Sequence, residues 1–512
     1  MAAAIALAYP PIIQGGMGVG VSDWMLARTV ALRSQLGVVS GTAIDNVFVR
    51  RLQDGDVGGH LRRAMEAFPF TDAVEDALDR YFRPGGKDRD EPYRGVPMYR
   101  QVIDKARERL TILSSFCEVW LAKEGHDGLV GMNLLTKVQM PNLPSLYGAM
   151  LAGVDYVLMG AGIPKDIPGA LDRMAVGEPA TLKLDVENAR RGETHELVFD
   201  PADHPAPADL ERPRFLAIVA SHTLAMMLAR KASGHVDGFI IEGEVAGGHN
   251  APPRGGGTLN ERGEPVYGER DVVDLEKIRE LGRPFWLAGG QGSPEGLEEA
   301  RAEGAQGVQV GTLFAYSNES GFREDLKREI RREAHEGTLD VRTDPVASPT
   351  GFPFKVVRKE NTLSELPVYE ARDRVCDLGY LRTAYQRDDG RIGYRCPAEP
   401  VSTFIKKGGE AEETEGRKCL CNGLFAAIGQ GQVRKDGRRE LPLITSGDEI
   451  AAIRHLSGPD GEGYSATDVI DYLLGTYDPR SHSENGGSAR GAGEDAARGR
   501  GTRRPLVETP SS

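Results

Sequence analysis

The stretch FWLAGGQG at residues 285–292 joins an apolar run to a glycine-rich turn, and GVQVGT at residues 307–312 repeats that pattern. Between the two, Ser293 followed by Pro294 can begin a helix, and Gly304 can end it. A short apolar strand, a glycine turn, a capped helix and a second apolar strand form the repeating unit of a parallel α/β sheet. The two stretches therefore predict two consecutive β-α units.

Six earlier segments share this short apolar character, which is typical of strands buried on both faces. The eight predicted strands cover residues 12–14, 37–40, 128–133, 154–159, 215–220, 238–242, 285–288 and 308–310. Helical patterns lie between most of them, and Ser22 is expected to cap the first helix. Eight such units predict an α/β fold of the (β/α)8 TIM-barrel class.

Other segments interrupt or follow this repeat. Residues 45–127 form a mostly helical insertion after the second strand, in a position to cover the barrel mouth. Its predicted helices cover residues 61–68, 73–81 and 99–123. A β-hairpin is expected over residues 182–199 as an addition to the barrel. We therefore expect a barrel over residues 1–342, a cysteine-bearing C-terminal extension over 343–477 and a disordered tail over 478–512.

Composition excludes several classes of protein. The 512 residues are 40% hydrophobic and 27% charged, as in ordinary globular chains. Acidic residues outnumber basic ones by 76 to 63, which argues against a nucleic-acid or anionic-membrane partner. No run of 18 apolar residues occurs, the first residues lack the basic segment of a signal peptide, and five cysteines are too few for a disulfide scaffold. A cytoplasmic location is expected.

The glycine turns after the last two strands are suited to phosphate binding. A phosphate needs close backbone N–H donors, and glycines at a strand end beside a helix N-terminus provide them. Loops after the seventh and eighth strands are the usual phosphate site of these barrels. The alternative for each loop is an ordinary turn, but two such loops on consecutive strands favour a phosphate site.

Two further loops carry candidate site residues. The first strand ends in QGGMGVG at residues 14–20, whose backbone could lie against a flat heteroaromatic ring, although a flexible turn explains it equally well. The sixth strand ends in EGEVAGGHN at residues 242–250. His249 therefore lies at the carboxyl end of a barrel strand, where catalytic groups of this fold are found, and imidazole is suited to proton transfer. The alternative is a structural loop histidine.

These motifs, together with the MNL of residues 132–134, WLAGGQG and QVGT, occur in an order that resembles the FMN-dependent nitronate monooxygenase (2-nitropropane dioxygenase) family. The resemblance covers about residues 8–356. The same superfamily contains FMN-dependent enoyl-acyl-carrier-protein reductases. It implies a flavin at the barrel mouth and a small-molecule substrate.

The resemblance also implies residue roles. His249 would be the catalytic base or proton donor near the flavin. The cofactor would be bound by Gly15, Gly16, Met17, Asn133, Gly289, Gly290, Gln309, Gly311 and Thr312, with Gly290, Gly311 and Thr312 at the phosphate.

Two reactions and a non-catalytic role stay open. The first reaction oxidises nitronates or nitroalkanes with O2 to carbonyl compounds and nitrite. The second reduces an enoyl thioester with NAD(P)H, with an acyl carrier protein as partner that could dock on Arg50, Arg51, Arg62 and Arg63. Asn250 replaces a basic residue common in the monooxygenases, and Glu242 and Glu244 give a pattern closer to the reductases. The third possibility is a barrel that only binds a phosphorylated ligand.

Inosine monophosphate dehydrogenases share this barrel, but they need a cysteine after the sixth strand, and none lies between Cys117 and Cys376.

Four of the five cysteines cluster in the extension. These are Cys376, Cys396, Cys419 and Cys421. Four thiolates suit zinc or an iron–sulfur cluster, although the spacing matches no common pattern for either. Four buried thiols without a metal are the alternative.

Overall fold

The computed structural model describes residues 9–204 and 210–479. In this part of the chain the strands are β1 (Ile12–Gln14), β2 (Gly37–Ser40), β3 (Val130–Leu135), β4 (Tyr156–Gly160), β5 (Ala180–Leu184), β6 (Val186–Glu187), β7 (His195–Phe199), β8 (Arg214–Val219), β9 (Gly238–Glu242), β10 (Phe285–Ala288), β11 (Gly307–Val310), β12 (Asp340–Asp344), β13 (Phe354–Arg358), β14 (Thr383–Gln386) and β15 (Ile392–Arg395). The predicted tail over 478–512 lies outside the described residues from residue 480 onward.

The helices of the same part are α1 (Trp24–Leu32), α2 (Ile44–Gln53), α3 (His60–Glu66), α4 (Thr71–Tyr81), α5 (Lys105–Lys123), α6 (Asn142–Leu151), α7 (Ile167–Ala175), α8 (His222–Lys231), α9 (Leu275–Arg279), α10 (Pro294–Ala302), α11 (Thr312–Ala315), α12 (Glu324–Glu336), α13 (Leu366–Glu370), α14 (Val401–Lys406), α15 (Leu420–Ala427) and α16 (Ala466–Leu473). Short 3-10 helices cover Val57–Gly59, Pro201–Asp203, Ala411–Thr414 and Ala451–His455. Within the described residues, no helix combines the length and apolar character needed to cross a bilayer.

Eight parallel strands form the predicted barrel, in the order β1-β11-β10-β9-β8-β4-β3-β2. A bridge between Ile13 and Leu36 joins β1 to the segment before β2 and closes the sheet, with Leu36 donating its N–H to Ile12 at 3.1 Å. All eight predicted strands are present within two residues of their expected starts. The fold prediction is confirmed.

Large apolar side chains fill the barrel interior. The inward-facing cluster consists of Ile13, Leu36, Val38, Tyr156, Leu158, Leu216, Ile240, Trp286 and Ala288. The fully buried indole of Trp286 donates to the Pro10 carbonyl oxygen at 2.8 Å, and Tyr9 packs edge-on against its ring. Because the interior is packed, a ligand must bind at the end of the barrel, where β-strands of this class present their carboxyl ends.

The helical insertion follows β2 as expected, but its longest helix begins later than predicted. The pattern suggested a start at Tyr99, whereas α5 begins at Lys105 because the Asp104 side chain caps it by accepting the Ala106 N–H at 2.8 Å. Helix α5 packs against α1 and α6 of the outer layer. The buried Asp45–Arg107 ion pair joins α5 to α2. This arrangement places α5 on the side of the barrel.

The C-terminal extension packs back onto the barrel. Strands β12 and β13 form an antiparallel hairpin, so the predicted boundary near residue 343 falls inside β12. Strands β14 and β15 form a second hairpin that pairs with β6, and the separately predicted hairpin is confirmed as β5 with β7. Helix α16 contacts α1, α10 and α11. The extension thereby brings its own loops to the carboxyl ends of the barrel strands.

Candidate active site

A cavity of about 230 Å³ opens at the carboxyl ends of the barrel strands, and we call it the barrel mouth. Its walls come from the loops after β1, β3, β4, β9, β10 and β11, and from residues 445–449 of the extension. Every predicted catalytic and cofactor-binding residue lines it: Gly15, Gly16, Met17, Asn133, His249, Gly289, Gly290, Gln309, Gly311 and Thr312. The structure therefore brings the ten predicted residues together in one cavity.

A buried polar clamp holds the loop after β1. The Gln14 amide oxygen accepts the Val38 N–H at 2.9 Å, and its nitrogen donates to the Ser22 hydroxyl at 2.8 Å. The Ser22 hydroxyl in turn donates to the Gly15 carbonyl and accepts the Met17 N–H, each at 2.8 Å. The prediction that Ser22 caps α1 is wrong, because Asp23 takes that position and frees Ser22 to fix the loop.

Close packing requires a glycine in this loop. A Cβ atom on Gly16 would lie 2.2 Å from Cβ of Asn133 and 2.8 Å from Cγ1 of Val38. The side chain that it would strike is itself a predicted site residue. The missing Cβ therefore lets the loop backbone lie directly beside Asn133 at the floor of the mouth.

The loops after β10 and β11 form a polar cradle at one end of the mouth. Gly289 and Gly290 have φ values of +80° and +79°, a left-handed conformation that other residues rarely adopt. The Gly292 N–H donates to a carboxylate oxygen of Glu449 at 3.2 Å, and the Thr312 hydroxyl accepts the Gly447 N–H at 3.1 Å. A carboxylate thus already lies at the predicted phosphate site, so the cradle has the chemistry to accept an anion.

Gln309 brings an unused polar atom to the mouth. Among the residues that the structure describes, its side-chain oxygen is buried without a hydrogen-bond partner, and Gln309 lines the cavity. Leaving such an acceptor unpaired costs roughly 1–3 kcal/mol. A ligand that donates a hydrogen bond to the Gln309 oxygen would recover this free energy. An N–H on the edge of a heteroaromatic ring is such a donor.

His249 is held as a neutral imidazole. Its Nε2 atom lies 2.7 Å from the Ser348 hydroxyl, and its ring packs edge-on against Phe354 at 4.8 Å between centroids. Burial lowers the pKa of the His249 imidazole to about 4. At neutral pH the ring is therefore uncharged and can accept a proton or donate a hydrogen bond, but it does not serve as an imidazolium acid.

Glu242 is a second titratable group in the mouth, at the end of β9. Burial raises the pKa of its carboxyl to about 7. The group therefore exchanges a proton near neutral pH, as general acids and bases require. The sequence indicated Glu242 only as part of a pattern, since its burial could not be read from the motif.

The His249 loop depends on contacts with the extension. The Gly248 N–H donates to the Thr445 hydroxyl at 3.1 Å, and the Gly248 carbonyl oxygen accepts the backbone N–H of Lys355 at 2.9 Å. The backbone N–H of Asn250 donates to the Pro353 carbonyl oxygen at 3.0 Å. Sequence reasoning missed this support, together with Ser348, Gly447 and Glu449. These residues lie about 100 to 200 positions from the loop in polar turns, and no local pattern links them to it.

The insertion does not cover the barrel mouth, and the four arginines of the expected carrier-protein patch contact other parts of the chain. No residue of 45–127 lines the barrel mouth, which the extension covers instead. Arg50 is buried against the Phe425 ring, and Arg51 pairs with Asp23 and Glu118. Arg62 and Arg63 pair with Asp56 and Glu124, respectively. All four arginines thus make contacts inside the chain. Arg50 is buried and Arg51 is mostly buried, whereas the side chains of Arg62 and Arg63 stay 45% and 39% exposed.

The four clustered cysteines surround a second space of about 10 Å³, which we call the cysteine cavity. Cys376, Cys396, Cys419 and Cys421 all line it. Burial raises the pKa of the Cys376 thiol to about 12 and also raises the pKa values of Cys396 and Cys421.

The metal prediction for these cysteines is not supported. Across residues 9–204 and 210–479, no group of three or more His, Cys, Asp or Glu side chains is placed to hold a metal ion. Cys419 has ordinary protein partners, since its sulfur lies 3.8 Å from the Val375 carbonyl oxygen and accepts from Asn422 at 3.6 Å. Cys396 and Cys419 are buried, and Cys376 and Cys421 are half-buried.

Comparison with known proteins finds relatives of part of this chain. The nitronate monooxygenase family model matches residues 173–349. A protein described as a probable nitronate monooxygenase of Staphylococcus saprophyticus is 25% identical over 166 residues, which are 32% of this chain and 45% of that protein. One of Bacillus subtilis is 27% identical over 161 residues, 31% of this chain and 44% of that protein. The chain thus matches less than half the length of these relatives.

Solved structures of low identity are also similar. FabK from Thermotoga maritima is 16% identical with a TM-score of 0.45, over 94% of this chain and 97% of that one. Nitroalkane oxidase from Streptomyces ansochromogenes is 14% identical with a TM-score of 0.42, over 93% and 98%. The enoyl reductase domain of MlnA from Bacillus amyloliquefaciens is 12% identical with a TM-score of 0.45, over 91% and 94%.

Proposed function

Because residues 173–349 match the nitronate monooxygenase family model, we propose that the chain is an FMN-dependent oxidoreductase that oxidises nitronates with O2 at the barrel mouth. The observation that carries the proposal is the meeting of a neutral histidine, an anion-accepting cradle and an unpaired buried amide oxygen in one cavity. In the overall reaction, two nitronate ions and one O2 give two carbonyl compounds and two nitrite ions.

The mouth offers separate places for the two ends of FMN. Gly290, Gly311 and Thr312 would hold the phosphate, because their loops present N–H and hydroxyl groups beside the N-terminus of α10. Asn133 and Gln309 would contact the ring system, and Gly15 to Met17 and Gly289 would border it. When bound, the flavin supplies the electron transfer.

His249 and Glu242 provide the proton chemistry. His249 presents a neutral imidazole to the α-proton of a nitroalkane, a proton that a preformed nitronate has already lost. Because burial lowers the pKa of the imidazole to about 4, it is a weaker base than the Glu242 carboxylate, whose pKa is about 7. Ser348 and Phe354 fix the orientation of the imidazole ring for this proton transfer. The Glu242 carboxyl can hold or release a proton near pH 7, and it lies in the same cavity. The two groups therefore give the mouth a base and a proton reservoir.

Glu242 favours one alternative, a reductase that reduces an enoyl thioester with NAD(P)H. Such a reaction adds hydride to the β-carbon and a proton to the α-carbon. A carboxyl with a pKa near 7 can deliver that proton, whereas His249 is uncharged at this pH. An acyl carrier protein would then be the partner.

Anaerobic absorbance spectra of the FMN-loaded protein distinguish the two reactions. The monooxygenase proposal predicts that a nitronate bleaches the flavin band and that NADH and NADPH do not. Rapid bleaching by NADPH or NADH, with no response to nitronate, would support the reductase instead. Absence of a flavin band after incubation with FMN would leave a barrel that only binds a phosphorylated ligand.

His249→Gln tests the assignment of the base. We expect the rate with a neutral nitroalkane to fall by about 100-fold and the rate with the nitronate to fall much less. His235→Gln is the matched control, since His235 is an exposed histidine before β9, outside the mouth. Equal losses with both substrates would show that His249 has another role.

A further inference from the structure

Residues 445–450 of the extension cross the cradle end of the barrel mouth, and we call them the 445–450 segment. Its backbone is attached to the barrel at two points: Gly447 donates to the Thr312 hydroxyl at 3.1 Å, and Asp448 donates to the Val245 carbonyl at 3.0 Å. The Asp448 carboxylate also pairs with the buried ammonium group of Lys355 at 2.6 Å. The backbone of the segment is therefore fixed over the cradle.

The next side chain, Glu449, reaches into the cradle. One carboxylate oxygen accepts the Gly292 N–H at 3.2 Å. The other lies 3.5 Å from the position of a Cβ atom on Gly290, in the loop proposed to hold the cofactor phosphate. Gly292 immediately precedes Ser293, which caps α10, so this N–H lies in the positive field of a helix N-terminus. The carboxylate has the place and the sign of charge of a phosphate.

We propose that Glu449 is an internal anion that occupies the phosphate end of the mouth and is displaced when a phosphorylated cofactor binds. The proposal rests on the FMN site proposed above. A carboxylate and a phosphate in one cradle repel each other, and both compete for the same N–H donors. Glu449 therefore lowers the affinity for any phosphorylated ligand without affecting the part of the mouth that holds a ring.

The geometry makes displacement inexpensive. Glu449 is exposed, and among the described residues the Gly292 N–H is its one hydrogen-bond partner. Rotation of the side chain into water would free the cradle while Gly447 and Asp448 keep the segment in place. The Gly447 N–H, which now donates to Thr312, would remain beside the phosphate. The segment thus combines a fixed backbone with one movable charge.

Flavin-fluorescence titrations of the full chain with FMN and with riboflavin test the proposal. Glu449→Gln removes the charge and keeps the shape, so FMN should bind about tenfold more tightly, whereas riboflavin, which has no phosphate, should bind within about twofold of the original. The gain for FMN should shrink at high ionic strength. The opposite role, in which Glu449 stays and orients Gly292 for the cofactor, predicts weaker FMN binding by the variant and would overturn the proposal. Unchanged FMN binding would overturn it too.

A matched control separates contact from general charge. Glu295 is an exposed carboxylate on the first turn of α10, so Glu295→Gln removes the same charge from the same helix end. We expect less than about a twofold change in FMN affinity for this variant. An equal gain in both variants would show that Glu449 acts only through net charge and would contradict the proposal.

Inorganic phosphate keeps this test independent of the FMN assignment. If neither protein binds FMN, the proposed cofactor is wrong, and calorimetric titration with inorganic phosphate decides the question. Tighter phosphate binding by Glu449→Gln than by the original chain would support a cradle guarded by its own anion. Equal or weaker binding would overturn it.

Discussion

The barrel mouth and the cysteine cavity are both places where candidate site residues of the sequence analysis meet in the fold. They differ in what remains unused. The mouth encloses about 230 Å³ and contains an unpaired amide oxygen on Gln309 and a carboxyl on Glu242 whose pKa is near 7. The cysteine cavity encloses about 10 Å³, room for roughly one water molecule, and Cys419 has protein partners.

A cluster of residues of one type does not by itself mark a ligand site. Glycines remove side chains and leave backbone donors and space, so a cluster of them at strand ends creates a place for a ligand. Thiols fill space and behave as small apolar groups when buried. Burial that raises the pKa of Cys376 keeps its thiol protonated, whereas burial that raises the pKa of Glu242 makes that carboxyl useful at neutral pH.

The largest effect is expected from closing the mouth. Gly16→Ala places a Cβ 2.2 Å from Asn133, which must shift, so we expect a loss of about 3 kcal/mol in the free energy of unfolding and loss of FMN binding. Urea denaturation and flavin titration measure both. Gly243→Ala is the control, because its Cβ would lie no closer than 3.6 Å to any neighbour. Equal behaviour of the two variants would contradict the packing described for the loop after β1.

A substitution in the cysteine cavity should affect stability alone. Cys396→Ser buries a hydroxyl in place of a thiol, so we expect a loss of about 2 kcal/mol in the free energy of unfolding with FMN affinity unchanged. Cys396→Ala, which buries no polar group, should lose less. Urea denaturation, flavin titration and elemental analysis check this. Stoichiometric zinc or iron, or loss of flavin binding, would make the two cavities more alike than we describe.

Glu242→Gln sharpens the electrostatic difference. Because the folded pKa is raised from about 4.5 to about 7, the stability that this carboxyl contributes is present below pH 4.5 and is lost as the pH rises through 7. The variant should therefore gain about 1.5 kcal/mol relative to the original chain between pH 5 and pH 8, less than the full shift because the mouth admits water. Urea denaturation at both pH values measures this. A constant difference would mean that Glu242 titrates normally.

The smallest effect concerns the unpaired amide. Gln309→Leu removes the acceptor that we expect to pair with the cofactor, so FMN affinity should fall about fivefold, or about 1 kcal/mol. Without FMN, the variant should be at least as stable as the original chain, because an unsatisfied buried oxygen is removed. Calorimetric titration and thermal unfolding test the two parts. Loss of stability with no change in affinity would indicate that Gln309 supports the fold.

Much of the fold could be predicted from local patterns. Eight short apolar runs separated by helical periodicity determine the barrel, and glycines at the ends of β10 and β11 indicate where a phosphate would lie. Helix ends were less certain, since Ser22 and Asp23 can each cap α1, and the choice depends on the contacts of Ser22 with Gln14 and Gly15.

Contacts made by the extension could not be predicted. Ser348 beside His249, Thr445 beneath Gly248 and Glu449 in the cradle come from segments with no regular periodicity. Their positions depend on the pairing of β12 with β13 and on the return of α16 to the barrel, which are long-range features of the fold. The same limit applies to the four cysteines, whose clustering was visible but whose arrangement was not.

Calorimetric titration of the flavin-free protein with FMN and with riboflavin shows whether the barrel mouth is a phosphate-anchored flavin site. We predict one FMN per chain, with riboflavin bound at least about tenfold more weakly, because the cradle at Gly290, Gly311 and Thr312 would hold the phosphate. Equal affinity for the two flavins, or binding of neither, would contradict the assignment of the barrel mouth as a phosphate-anchored flavin site.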